Sequence, residues 1–172
     1  MADELDREAS LAEFDRSRTE FEEAVRRAPD AALRYRAPGD DYAMGGLVVH
    51  VTQVLVHYTD VLDAIHTADW QSPTAPPSQT SDSEAALIRD GFGGDSRSDI
   101  LAQLRAAHTA LVAAVRVEPS EWFSRKAPVT YSGSSEPYPT SPADVVGWVR
   151  DHYAEHTQQI ADLVSAWAIA TR

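Results

Sequence analysis

The sequence contains no cysteine. Disulfide bonds, thiolate metal ligands and a cysteine nucleophile are therefore all excluded. Any metal ion bound by side chains of this chain must be held by histidine, aspartate or glutamate. If a thiol takes part in the chemistry, it must arrive as a small molecule.

Basic residues are also few. The chain has 15 Lys and Arg against 27 Asp and Glu, which gives a formal net charge of −12 at pH 7. Phosphate backbones and anionic lipid surfaces are bound by basic protein surfaces. The charge therefore argues against nucleic acid and against an anionic membrane surface as partners.

Long hydrophobic runs are absent as well. No run of about 18 apolar residues is present, so the sequence predicts no transmembrane helix. The stretch 1–6 is acidic, whereas a signal peptide would be basic and then apolar, and we expect a cytoplasmic protein. With 172 residues, 43% of them hydrophobic, the chain is long enough for one compact domain over residues 1–172.

Apolar residues recur at three- and four-residue steps in four long segments, which is typical of amphipathic helices. The predicted helices run from about Asp3 to Ala28, Gly45 to Ala68, Ser98 to Arg116 and Pro142 to Ala168, with a short helical piece near Glu84 to Arg89. No segment has a convincing strand pattern beyond the stretch Pro128 to Tyr138, which is compatible with one small hairpin. The sequence predicts an all-α fold, a four-helix bundle.

The stretch between Val117 and Thr140 has no helical pattern and contains four prolines. A loop of this length inside a compact domain is unusual unless it has a function. We therefore expect it to shape the mouth of a binding site. Its candidate substrate-binding residues are Arg125, Lys126, Tyr131 and Tyr138. For the two basic residues the alternative is ordinary solvated charge.

The last predicted helix begins with a capping signal. Ser141 is a favourable N-cap residue, Pro142 suits the first helical position, and Asp144 completes a motif similar to a capping box.

His152 and His156 are the most informative residues of this helix. They lie four residues apart, about one helical turn, so both imidazoles leave the same face. That face is the apolar one, which also carries Val145, Val149, Ile160, Leu163 and Trp167. Burying two imidazoles costs free energy unless each finds a partner. A metal ion would satisfy both at once; the alternative is two core histidines bonded to backbone or carboxylate groups.

A third ligand can come from the second helix, where His50 shares one face with apolar neighbours. Three protein ligands would leave one coordination position open, as in catalytic metal sites. His57 is the rival of His50, because it projects in the same direction roughly 10 Å further along the helix axis. His108, on the third long helix, is a further candidate for a ligand or supporting residue. Spacing alone does not choose between His50 and His57.

Two segments carry a resemblance to a known family. They are Met44-Gly45-Gly46-Leu47-Val48-Val49-His50 and His152-Tyr153-Ala154-Glu155-His156-Thr157-Gln158-Gln159-Ile160. With these segments, the helix order and the length, most of the chain resembles the DinB/YfiT-like superfamily. The resemblance implies an up-down-down-up four-helix bundle and frequent homodimers. It also implies a divalent metal, most often zinc or nickel, on His50, His152 and His156.

The resemblance also suggests a class of function. Members of this superfamily include thiol-dependent transferases and isomerases that use mycothiol or bacillithiol, and some hydrolases. The mycothiol-dependent maleylpyruvate isomerase branch usually has glutamate where this chain has His152, which argues against that exact reaction. Three imidazoles do not identify the metal, because zinc, nickel, iron and copper all accept them.

We therefore expect a divalent-metal-dependent enzyme that acts on a small-molecule substrate. Its reaction is either transfer to or from a low-molecular-weight thiol, as in an S-transferase, or hydrolysis. Two alternatives remain open. One is a non-catalytic metal-binding protein of a stress response, and the other is a metal-free helical interaction protein.

Overall fold

The computed structural model describes residues 2–172. Its α-helices are α1 (Ala2–Arg27), α2 (Gly46–Thr67), α3 (Asp82–Asp90), α4 (Arg97–Val117) and α5 (Pro142–Ala170), and its strands are β1 (Ala127–Val129) and β2 (Tyr138–Thr140). The predicted all-α fold is confirmed, and each predicted long helix ends within two residues of the observed bounds. The hairpin expected in the long loop is present, because β1 and β2 pair antiparallel.

The core lies between the four long helices, with α1 packed on α5 and α2 packed on α4. The predicted apolar stripe of α1 is buried, including Phe14 and Phe21. Two polar aromatic side chains are also buried in this core, Tyr153 from α5 and His108 from α4. The two side chains are hydrogen-bonded to each other, since His108 Nδ1 lies 3.3 Å from the Tyr153 hydroxyl. Each therefore provides the other with a polar partner away from water.

The capping signal at the start of α5 forms as predicted. The Asp144 N–H donates to Ser141 Oγ over 3.1 Å, and the Ser141 N–H donates to Asp144 Oδ2 over 2.9 Å. The same reciprocal box, between Ser81 and Glu84, begins α3. These bonds satisfy backbone donors that a helix start leaves unpaired, and they fix where α5 begins.

The start of α2, which carries His50, is held by close backbone packing. The Gly45 N–H donates to the Leu33 carbonyl over 2.8 Å. At Gly46, an added Cβ would lie 1.9 Å from the carbonyl oxygen of Ile88 at the end of α3. Only glycine therefore lets α3 approach the first turn of α2 so closely.

The two long connections are tied to each other. Thr130, just after β1, accepts from the Ala75 N–H and donates to the Pro73 carbonyl, both over 2.9 Å. These bonds hold the connection 68–81 against the hairpin loop. Ser78 and Thr80 of the first connection share the lining of one cleft with residues of α2 and α5, and Tyr138 of the hairpin lies against Trp148 of α5.

One stretch satisfies a test of length and average composition for a membrane-crossing helix. It is Gly94–Val117, which includes α4; 33% of the 18-residue window that satisfies the test is buried within the protein. The core helix of a soluble protein passes the same test, so a single such helix is weak evidence of a membrane span. Here α4 packs against α2.

Candidate metal centre

Three histidines from two helices meet at one point. His50 of α2 and His152 and His156 of α5 each offer a ring nitrogen, and these nitrogens all lie within 4.8 Å of one another. His152 Nε2 is 3.1 Å from His50 Nε2 and also 3.1 Å from His156 Nε2. Within residues 2–172 this is the one group of three or more potential metal ligands so placed.

The spacing of these nitrogens fits a divalent metal ion. Zinc–nitrogen bonds of about 2.0–2.1 Å in a tetrahedral arrangement put two ligand nitrogens roughly 3.3 Å apart. The observed separations of 3.1 Å are close to that value. Two of the three separations therefore already match those around a bound ion, and the third, between His50 and His156, is within 4.8 Å.

A hydrogen bond orients the most buried of the three rings. His156 Nδ1 lies 2.8 Å from Gln159 Oε1, one turn further along α5. An amide oxygen only accepts, so His156 donates from Nδ1 and its neutral ring carries the lone pair on Nε2. That is the nitrogen that points to His50 and His152. Gln159 thus plays the part that an outer hydrogen-bond partner has in known histidine metal sites.

The surroundings favour neutral rings. Burial, together with the neighbouring histidines, lowers the pKa of His50 from 6.5 to about 4. Burial and the neighbouring His156 lower the pKa of His152 from 6.5 to about 4 as well. Metal ligation requires unprotonated imidazole, so at neutral pH both rings are already in the state that a metal binds.

No carboxylate joins the three histidines among the residues that the structure describes. The closest acidic side chain on α5, Glu155, has an oxygen 3.9 Å from His152 Nδ1, which is too long for a hydrogen bond. Its side chain is 73% exposed. The donor set is therefore three imidazoles, which leaves room for a further ligand from solution.

One side of the cluster is covered by an aromatic ring that the sequence pattern did not reveal. The Tyr42 ring centroid lies 4.7 Å from that of His50 and 6.4 Å from that of His156. Tyr42 stands in an irregular segment before α2, where no periodicity marks inward residues. Its ring limits access of water to this side of the histidines.

The other side opens into a cleft of about 460 Å³. His50 and His152 lie in its wall, whereas His156 is behind them and only 5% exposed. The remaining lining residues are Gln53, Val54, His57, Tyr58, Ser78, Thr80 and Trp148. We call this space the histidine cleft. A molecule that enters it reaches the rings of His50 and His152.

The structure places the four predicted substrate residues outside the lining of this cleft. The Arg125 guanidinium lies over two tryptophan rings, 4.4 Å from the centroid of Trp122 and 5.0 Å from that of Trp70. Lys126 forms an ion pair with Asp144 at 3.2 Å.

The two tyrosines of the hairpin lie nearer to the cleft. The Tyr131 hydroxyl is hydrogen-bonded to Thr140 Oγ1 over 3.0 Å. The Tyr138 ring lies 6.0 Å from the ring of Trp148, which belongs to the cleft wall. Tyr138 therefore lies against a residue that lines the cleft.

The two other candidate histidines are separate from the cluster. His57 lines the histidine cleft but is not one of the three grouped nitrogens. His108 is buried in the core, where its ring stacks on Phe14 with centroids 4.2 Å apart. Burial and the nearby Arg18 lower the pKa of His108 to about 4. The structure thus joins His50, and neither rival, to the pair on α5.

Comparison with known proteins identifies the family. The model of the DinB superfamily matches residues 13–160 of this chain. Because the match covers most of the sequence, the chain belongs to the DinB superfamily. Among curated proteins none matches the sequence significantly.

A solved structure has a similar fold. It is the crystal structure of a mutant of the mycothiol-dependent maleylpyruvate isomerase, with 10% sequence identity and a TM-score of 0.63. The superposition covers 88% of this chain, which spans only 59% of that one. At this identity the likeness shows a shared fold alone.

Proposed function

We propose that this protein is a divalent-metal-dependent enzyme that acts on a small molecule, with zinc or nickel held by His50, His152 and His156. The reaction class we favour is transfer to or from an external low-molecular-weight thiol. The observation that carries the proposal is the group of three ring nitrogens, of which those of His50 and His152 belong to the wall of a cleft that can admit a small molecule. Membership of the DinB superfamily supports it.

The bound ion would supply the activation that the side chains lack. A divalent cation lowers the pKa of a water molecule or thiol at its open position, which makes a nucleophile available near neutral pH. The chain has no cysteine, so a sulfur nucleophile would come from a co-substrate.

The lining of the cleft offers two further polar side chains, His57 and Tyr58. Burial lowers the pKa of His57, so its ring is neutral at pH 7 and able to accept a proton. Burial raises the pKa of the Tyr58 hydroxyl, which therefore stays protonated at neutral pH. It can donate one hydrogen bond and accept another at its oxygen. In this proposal the histidine trio binds the ion, and His57, roughly 10 Å further along α2, forms hydrogen bonds to the part of the substrate that lies away from the ion.

Hydrolysis is the second candidate reaction. The same open position that would accept a thiol would accept water, and the cleft reaches solvent. A non-catalytic metal-binding role would not account for the cleft of about 460 Å³ beside the histidines.

An activity screen with matched variants separates these functions. Zinc-loaded and nickel-loaded protein would be incubated with chlorodinitrobenzene and mycothiol, bacillithiol or cysteine, and separately with nitrophenyl acetate. We expect thiol-dependent turnover that is lost in His152→Ala and retained in Ser165→Ala, an exposed position on the same helix. Turnover of the ester alone would favour the hydrolase. Full activity in His152→Ala would contradict both.

A further inference from the structure

An aromatic wall stands beside the histidines in the histidine cleft. The Tyr58 and Trp148 ring centroids lie 5.7 Å apart, and Tyr138 continues the row at 6.0 Å from Trp148. Val54 adds an aliphatic surface to the same lining. Flat aromatic faces bind planar apolar groups by stacking and edge contacts. The middle of the cleft is therefore suited to a planar, apolar body.

The cleft has no positive side chain to receive an anion. Of the described residues that line it, none is lysine or arginine. The adjoining cleft, which shares Gln53, His57 and Ser78 with it, adds two carboxylates, Asp60 and Glu84. A negative group placed away from the histidines would therefore lose water without gaining a counter-charge, which is unfavourable.

The far end of the cleft offers hydrogen-bond donors. Gln53 and His57 are three and seven residues after His50 on α2, so they lie roughly 4.5 and 10 Å further along the helix. Thr80 Oγ1 donates to Gln53 Oε1 over 3.2 Å, which orients the Gln53 amide. The Gln53 Nε2 atom is buried and makes no hydrogen bond within 3.5 Å to the residues that the structure describes. The Glu84 carboxylate lies close enough for the Gln53 amide to contribute to lowering its pKa, so this acceptor is near but imperfectly placed. Buried donors are nearly always paired, so an acceptor on a ligand would complete this amide.

We propose that the histidine cleft selects substrates with three features. The reacting group lies at His50 and His152, the body is planar and apolar and packs on Trp148, and the far end carries an uncharged hydrogen-bond acceptor bound by Gln53 and His57. This inference rests on the proposed function, because it takes the ion at the three histidines as the anchor of the reacting group.

Hydroxamic acids test the proposal, because their head group chelates zinc and their tails can be varied. Titration calorimetry on the zinc-loaded full-length protein would compare acetohydroxamic acid, benzohydroxamic acid, and benzohydroxamic acid with a para-carbamoyl or a para-carboxylate group. We expect benzohydroxamic acid to bind about tenfold more tightly than acetohydroxamic acid, from ring contacts. The para-carbamoyl compound should bind about tenfold more tightly than the para-carboxylate, from hydrogen bonding without a buried charge.

Three variants assign these preferences to residues. Trp148→Leu should remove the advantage of the phenyl ring while leaving the affinity for acetohydroxamic acid unchanged. Gln53→Met should remove the advantage of the carbamoyl group alone. Trp122→Leu is the control, because Trp122 is a half-buried tryptophan that packs on Trp70 and Arg125 and not on the cleft.

The possible results separate this inference from the proposed function. If zinc binds and all four compounds bind equally, or if the para-carboxylate binds most tightly, the inference is overturned and the metal site stands. If Trp148→Leu and Trp122→Leu behave alike, the assignment to the aromatic wall is overturned. If the protein binds no zinc, both the proposed function and this inference are overturned.

Discussion

His152 Nε2 lies 3.1 Å from His50 Nε2, although the two residues are 102 positions apart in the chain. The same nitrogen is 3.1 Å from His156 Nε2. One Nε2 carries either a single proton or a single lone pair, so it cannot form good hydrogen bonds to two other ring nitrogens at once. A divalent cation accepts a lone pair from all three. This arrangement is therefore better satisfied by a metal than by hydrogen bonds within the protein.

The role of Gln159 can be tested without touching a ligand. Gln159→Met removes the acceptor that orients His156, and we expect zinc affinity to fall by about tenfold or more, as for other outer partners of metal ligands. Competition titration with a chromogenic chelator would measure this. The control is Gln158→Met, because the exposed Gln158 amide bonds only to Asp162 in the structure. Equal losses in the two variants would argue against an orienting role.

A pair of glycines tests the packing that positions His50. Gly46→Ala would place a methyl group 1.9 Å from the Ile88 carbonyl, so we expect it to lower the free energy of unfolding by at least about 2 kcal/mol. At Gly147, within α5, an added Cβ meets nothing within 4 Å. Gly147→Ala should therefore raise stability by about 0.5–1 kcal/mol, the helix propensity difference. Urea unfolding measures both, and a tolerated Gly46→Ala would show that α3 is not fixed against α2.

Metal-free protein should lose stability in acid. The pKa values of His50, His108 and His152 are each lowered to about 4 by burial, with neighbouring positive charge contributing. The unfolded chain therefore binds protons before the folded one. The stabilising contribution of these groups is complete above about pH 6.5 and is lost progressively as pH falls towards 4.

His66 affects the pH dependence of stability in the opposite direction, because its hydrogen bond to Glu118 raises its pKa. It is exposed to solvent, so its contribution is small. Urea unfolding of chelator-treated protein between pH 7.5 and 4.5 measures the sum. Stability that stays constant or rises as pH falls through this window would contradict the burial of three neutral histidines.

The oligomeric state is a separate prediction. We expect a homodimer, on the basis of the resemblance to the superfamily. Three apolar side chains outside the fully buried core, Trp122, Trp148 and Val112, are half-buried within the protomer and pack against its core. Light scattering over micromolar concentrations would decide, and a constant monomer mass would contradict the prediction.

The sequence predicted the helices because their apolar periodicity is a local property. It also predicted that His152 and His156 share a face, since four residues make about one turn. Periodicity did not choose between His50 and His57, which lie on the same side of one helix. The resemblance to the superfamily chose His50, and the structure places His50 with the pair on α5.

The rest of the candidate site depends on contacts that leave no local signal. Tyr42 and Thr80 belong to irregular segments, where no period marks the residues that face inward. Arg125 was a candidate for substrate binding because it is one of two adjacent basic residues. The structure instead places its guanidinium over Trp70, which is distant in sequence, and over Trp122, which lies in the preceding turn. The contact between Gln159 and His156 could have been predicted from the sequence, because a residue three positions after another on a helix lies beside it.

The central claim is that one divalent ion binds to His50, His152 and His156. Its most direct test is the zinc stoichiometry and affinity of the purified wild-type protein, His50→Ala and His57→Ala, measured by mass spectrometry of the metal and by calorimetry at pH 7.5. We expect one zinc per chain in the wild type and in His57→Ala, and loss of most of it in His50→Ala with the helical circular dichroism unchanged. Equal zinc in wild type and His50→Ala, or loss confined to His57→Ala, would contradict the site.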